Sequence, residues 1–123
     1  MSKKDTALFW DTAHRYLDHH LKVIRQVSRH TIDSYRDCLN SFINYLDEVG
    51  HVSRKTISFH NFEKETLKRY QSWMVTERSL APKTCNLRMT AIRALLEYAA
   101  QEYLWITPFY TDACSIVGVK TVN

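Results

Sequence analysis

Apolar residues recur at three- and four-residue intervals along most of the chain, and four stretches of this pattern are long enough to be helices. In the first, Phe9, Ala13, Tyr16, Leu17, His20, Leu21 and Ile24 share a face, Thr6 is placed to cap the start, and fraying is expected over residues 25–27. The second is the cleanest. Ile32, Tyr35, Leu39, Phe42, Ile43, Leu46 and Val49 line one side of a helix predicted from Arg29 to Val49. Ser28 suits its N-cap, because a hydroxyl can accept from an otherwise unpaired backbone N–H, and Gly50 suits a left-handed stop. Residues 51–61 lose the period and form a loop, with Ile57, Phe59 and Phe62 as its anchors. A third helix, about 64–76, turns Leu67, Tyr70, Trp73 and Met74 inward and places Glu63 and Glu65 at the positive end of its dipole. The fourth opens at Pro82, which has no N–H to leave unpaired in a first turn.

Along that fourth helix Cys85, Met89, Ile92, Leu95, Leu96, Ala99 and Tyr103 form the apolar stripe. The opposite side carries Lys83, Asn86, Leu87, Thr90, Arg93 and Ala94, a small-sided, partly basic face. After Tyr103 the chain becomes apolar again, through Leu104, Trp105, Ile106, Pro108, Phe109 and Tyr110 to Ile116-Val117-Gly118-Val119. The expected organisation is a mobile lead over residues 1–5, a helical domain over 6–106, and an extension over 107–123. That extension either folds back on the helices or begins the path to a further domain.

Composition narrows the class. Two Gly and two Pro leave the backbone few places to turn, and Gly50, Pro82 and Pro108 fall where helices stop or start. With 45% hydrophobic residues, the expectation is an ordered all-α bundle. The formal net charge of +4 is compatible with a polyanionic partner without requiring one. Cys38, Cys85 and Cys114 are odd in number and far apart, which fits reduced thiols in a cytoplasmic protein. The chain has no secretion signal and no run of membrane-spanning length, so no membrane partner is expected. Nor does it have a Gly-rich phosphate loop or a nucleophile–base pair, and His14, His19 and His20 lack metal-ligand spacing. Neither a cofactor nor a catalytic site is expected within this chain.

A shift of 53 positions lays the second helix on the fourth: Thr31 meets Thr84, Leu39 meets Ile92, Phe42-Ile43 meets Leu95-Leu96, and Tyr45 meets Tyr98. The pattern Ser28-x-x-Thr31-Ile32-x-x-Tyr35-x-x-x-Leu39-x-x-Phe42 is followed by a loop and a third helix. Thr84-x-Asn86-x-Arg88-Met89-x-x-Ile92-Arg93-x-x-x-x-Tyr98-Ala99 then completes it. This order resembles the N-terminal core-binding domain of the tyrosine recombinases, or phage integrases, over about Phe9 to Val119. The sequence departs from the pattern at Ala81, where such domains often carry a Ser cap, and at Asp33 and Asp37 on a face expected to meet DNA.

The resemblance implies a SAM-like four-helix bundle, with an apolar C-terminal extension, that forms half of a clamp around duplex DNA. The second and fourth helices would approach the major groove. The catalytic Arg, Lys, His-x-x-Arg box and nucleophilic Tyr would belong to a C-terminal domain beyond this chain. His51-Val52-Ser53-Arg54 spells such a box but sits in a loop, and coincidence is the expectation. Carried onto this sequence, the DNA-binding residues are Lys83, Thr84, Asn86, Leu87, Arg88, Thr90 and Arg93, joined by His30, Thr31 and Ser34. Lys or Arg can meet phosphate there, and Asn can read an adenine edge. Expected partners are double-stranded DNA, the protein's own catalytic domain and neighbouring recombinase protomers, the last meeting through the first helix. The competing expectation is a helical protein–protein interaction bundle whose basic excess is incidental.

Overall fold

The structure, a computed structural model, describes residues 2–121. Helices are the only regular structure among those residues: α1 (Lys3–Arg15) runs into a π-helical segment (Tyr16–Ile24), followed by α2 (Arg29–Glu48), α3 (Lys64–Thr76), α4 (Pro82–Glu102) and α5 (Thr107–Cys114). They fall into two compact units, Met1–Asn61 and Phe62–Asn123. The all-α class is as the hydrophobic pattern predicts, and α2, α3 and α4 begin where that pattern places them.

In the first unit, α1 starts earlier than expected. The cap is Ser2 instead of Thr6: its Oγ accepts from the Asp5 N–H at 3.1 Å and donates to the Asp5 carboxylate at 3.1 Å. This is a serine N-cap that satisfies one first-turn N–H, with the Asp5 carboxylate taking the hydroxyl proton. Lys3, Lys4 and Asp5 therefore belong to the first turn. Beyond Arg15 the winding loosens to i→i+5 bonding. Inward positions then recur about every four to five residues, so Leu21 follows Tyr16 and Leu17 into the core. Ile24, assigned inward on a 3.6-residue period, is turned out and 60% exposed. Asp18 on this segment accepts from Arg36 of α2 at 2.7 Å.

The amphipathic pattern of α2 holds along most of its length, but Tyr35 is half-buried and Val49, at the end, is turned out and exposed. Ile32, Leu39, Phe42, Ile43 and Leu46 are buried, and Ser28 caps the helix by accepting from the Thr31 N–H at 3.2 Å. Its stop differs from expectation. Gly50 does not adopt positive φ; the next residue, His51, does, at 58°. Gly50 instead lies close against the last turn, where a Cβ would meet the Leu46 carbonyl oxygen at 3.0 Å. The loop that follows is pinned from its middle. Arg54 donates to the Asn40 and Asn44 side chains (3.1 and 3.2 Å) and stacks its guanidinium over the Trp10 ring, while the Trp10 Nε1–H donates to the Arg54 carbonyl at 3.0 Å. Phe59 meets Phe9 edge-on with centroids 5.1 Å apart.

In the second unit, Leu67, Tyr70 and Met74 of α3 are fully buried, as are Cys85, Ile92, Leu96 and Ala99 of α4. Trp73, assigned inward, is only half-buried and carries the Arg78 guanidinium over its ring. The extension folds back. A 3-10 turn (Leu104–Ile106) buries Ile106, α5 packs along α4 through Ala113, and Ile116 is buried after it. The Tyr110 hydroxyl of α5 donates to Glu97 of α4 at 2.7 Å. That hydrogen bond, helped by the neighbouring Cys114 thiol, pushes the phenol well above its ordinary pKa.

Candidate nucleic-acid interface

Helical winding of about 100° per residue sorts the residues of α4. Lys83, Leu87 and Thr90 follow one another along the middle of the exposed face, and all three are exposed. Asn86 and Arg93 flank them, half-buried, with Ala94 on the same face. Thr84 and Arg88, placed with this group from sequence, lie about a third of a turn away, at the border of the buried stripe that carries Leu95 and Ala99. The structure thus gathers Lys83, Leu87, Thr90 and Arg93 and sets Thr84 and Arg88 apart.

Charge is one-sided over the first fifteen residues of this helix, before Glu97 and Glu102 near its end. From Arg78 to Leu96 the chain has four cations and no carboxylate. Among the described residues, no carboxylate lies within ion-pair distance of Lys83, Arg88 or Arg93. Arg93 donates to the Thr90 hydroxyl at 3.2 Å, and that hydroxyl in turn donates to the Asn86 carbonyl at 2.9 Å. This chain holds the guanidinium against the outer face. The helix start adds to the positive end. Ala81 brings no side-chain oxygen to the cap, whereas Ser28 does so for α2. The first-turn N–H groups of α4 are therefore left to whatever anion approaches.

The Asn86 carboxamide, assigned a base contact on sequence, is engaged within the chain. Both atoms of its carboxamide pair with the Val119 backbone, which occupies the pattern an adenine edge would need.

The matching face of α2 carries His30, Ser34 and Asp37 in the positions of Lys83, Leu87 and Thr90, with Asp33 in the position of Asn86. His30 is exposed and Ser34 is half-buried. Thr31 lies round the helix and is tied into the cap, where its Oγ1 accepts from Ser28 at 3.0 Å. Asp33 leans toward Arg29 at 3.9 Å, and Asp37 has no cation within ion-pair distance among the described residues. This face uses positions equivalent to those of the α4 face, with a more acidic balance.

Arg54 holds its loop, with one terminal guanidinium nitrogen donating to Asn40 and Asn44 and the group lying over the Trp10 ring. That role leaves no periodic signal, since Trp10, Asn40 and Asn44 are remote from Arg54 along the chain. Among the described residues, no three His, Cys, Asp or Glu side chains are grouped to hold a metal ion, and no helix is long and apolar enough to cross a membrane.

Residues 8–114 match the phage integrase SAM-like domain. The chain belongs to that family. As a SAM-like integrase domain, it is also 27% identical over 78 residues to a protein of Sinorhizobium fredii (strain NBRC 101917 / NGR234) named "Putative integrase/recombinase y4rC". That match covers 63% of this chain and 24% of the relative, so the chain spans about a quarter of that protein's length. No solved structure matches it significantly.

Proposed function

We propose that this SAM-like domain is the core-binding domain of a tyrosine recombinase and grips duplex DNA through the outer face of α4. The observation that carries the reading is the carboxylate-free run from Arg78 to Leu96, with Lys83 and Arg93 on one exposed face and an uncapped helix start beside them. Lys83 and Arg93 meet phosphates, Thr90 orients Arg93, and Leu87, 44% exposed, supplies apolar contact of the kind a thymine methyl offers. Arg88 and Thr84 contribute from the border of the face. His30, Thr31 and Ser34 of α2 make a second, weaker contact. Asp33 and Asp37 keep it weak, because carboxylates repel phosphate.

Phosphate contacts set register and carry little sequence information, so the isolated domain should hold DNA with modest specificity. Strand cleavage and rejoining belong, on this reading, to a catalytic domain C-terminal to this chain, with neighbouring protomers on the same DNA as further partners. The protein works in the cytoplasm, where its substrate is.

The test is a fluorescence-anisotropy titration of a mixed-sequence duplex at several salt concentrations. Neutralising Z phosphates gives a slope of roughly −0.9Z in log K against log salt, so several contacts produce a steep line. Lys83→Ala and Arg93→Ala should each flatten it. Binding that is absent, or indifferent to salt and to both substitutions, would favour a protein–protein interaction bundle.

A further inference from the structure

The last described residues are strapped to the second unit. Ile116 is buried and roots the segment. The Gln71 side chain on α3 then donates to the Val117 carbonyl at 2.9 Å. Two residues on, Asn86 of α4 grips the backbone twice: its Nδ2 donates to the Val119 carbonyl at 2.9 Å, and its Oδ1 accepts from the Val119 N–H at 2.8 Å. Between these anchors, Gly118 lies so close that a Cβ would stand 3.2 Å from the Asn86 Oδ1. Val117 is 85% exposed, so at this point hydrogen bonds hold the strap more than burial does.

The strap thus passes from α3 to α4 and brings its next residue to the edge of the cationic face. Lys83 lies about one turn before Asn86 on that helix, and Thr90 about one turn after it. The residue delivered there is Lys120, which is exposed and has no carboxylate within ion-pair distance among the described residues.

We propose that Lys120 is a further phosphate contact of the α4 face, and that Asn86 is the positioning residue that holds it there. The proposal rests on the reading that α4 binds duplex DNA, and it extends the contact surface beyond the helix. An ammonium on a four-carbon stem needs only to be kept near a phosphate, without strict geometry. Anchoring the backbone beside the helix keeps it near and reduces the ordering that binding would otherwise require. Asn86 acts through Val119 and reads no base.

The experiment combines salt-dependent anisotropy with amide hydrogen exchange on the full 123-residue chain and a mixed-sequence duplex. Lys120→Gln should reduce the magnitude of the salt slope by roughly 0.9 and leave exchange at Val119 unchanged. Asn86→Ala should lose protection at the Val119 amide and lose the same increment of slope. In that background Lys120→Gln should add little. Gly118→Val, which leaves Asn86 and every cation in place, should reproduce the Asn86→Ala result by displacing the strap.

If the wild type binds steeply and Lys120→Gln leaves its slope intact, the Lys120 assignment is overturned while the α4 reading stands. Additive effects of Asn86→Ala and Lys120→Gln, or Val119 protection that survives Asn86→Ala, overturn the positioning role. A wild type without salt-dependent binding overturns both readings together.

Discussion

Gln26 and Ser79, 53 positions apart, occupy the same place in the same turn. Their φ angles are 49° and 50°. Ahead of Gln26, the Arg25 N–H donates to the His20 carbonyl at 2.9 Å; ahead of Ser79, the Arg78 N–H donates to that of Trp73 at 3.2 Å. Behind them, the Val27 N–H reaches Leu21 at 2.8 Å and the Leu80 N–H reaches Met74 at 3.0 Å. Three residues after each, α2 and α4 start in register. The repeat visible between these helices in sequence thus extends to the turns that launch them, and it explains why the two helices turn equivalent residues outward.

Neither turn uses glycine, although a left-handed residue with a Cβ costs roughly 1–2 kcal/mol. Gln26→Gly and Ser79→Gly should therefore each stabilise the chain, by about 0.5–1 kcal/mol after the added chain entropy of glycine is discounted. Urea melts of each variant, with an unchanged m-value, check this. A loss of stability at either position would mean that its side chain makes an essential contact.

The missing cap of α4 separates stability from binding. Ala81→Ser and Ala81→Asp should each raise stability by about 1 kcal/mol, because either side chain can accept from a first-turn N–H. On duplex DNA they should diverge. Ser leaves the charge unchanged, whereas Asp sets a carboxylate beside Lys83 and should weaken binding several-fold at low salt. Equal affinities for the two variants would show that no phosphate approaches the start of this helix.

Thr12 is fully buried in α1, and its hydroxyl has no hydrogen-bond partner among the described residues. Thr12→Val keeps the shape and removes the unpaired group, so thermal and denaturant unfolding should show a gain of roughly 1 kcal/mol. Destabilisation of that size would reveal a partner for the hydroxyl.

The Tyr110–Glu97 bond has a spectroscopic signature. An unpaired tyrosine ionises near pH 10, but the neighbouring carboxylate keeps the Tyr110 phenol protonated beyond that point. A raised folded-state pKa adds stability that is fully present below the unfolded value and is lost as pH rises through the folded one. In an ultraviolet titration, the wild type and Tyr110→Phe should therefore coincide through pH 10 and separate only in stronger alkali. A difference of one full tyrosine near pH 10 would mean that the bond to Glu97 does not persist in solution.

Much of the fold was legible because burial follows the helical period. Ile32, Leu39, Phe42 and Ile43 read directly as the inner side of α2, and Cys85, Ile92 and Leu96 as that of α4. The π-helical winding was not legible, since a 3.6-residue template counts Ile24 as inward. Gly50 misled in the opposite way: glycine is the commonest left-handed stop, but here it allows close approach to Leu46, and His51 takes the strained conformation. In the candidate site, Lys83, Leu87, Thr90 and Arg93 followed from spacing alone. The engagement of Asn86 with Val119, and of Arg54 with Trp10, Asn40 and Asn44, depends on side chains meeting segments distant in sequence, which no periodicity records.

Contact between the outer face of α4 and DNA is tested most directly by a backbone-amide NMR map of the chain on titration with duplex. Perturbations should concentrate at Lys83, Leu87, Thr90 and Arg93, with smaller ones at His30, Thr31 and Ser34, and should shrink as salt is raised. A map that leaves α4 silent, or that centres on the exposed Val23 and Ile24, would contradict it.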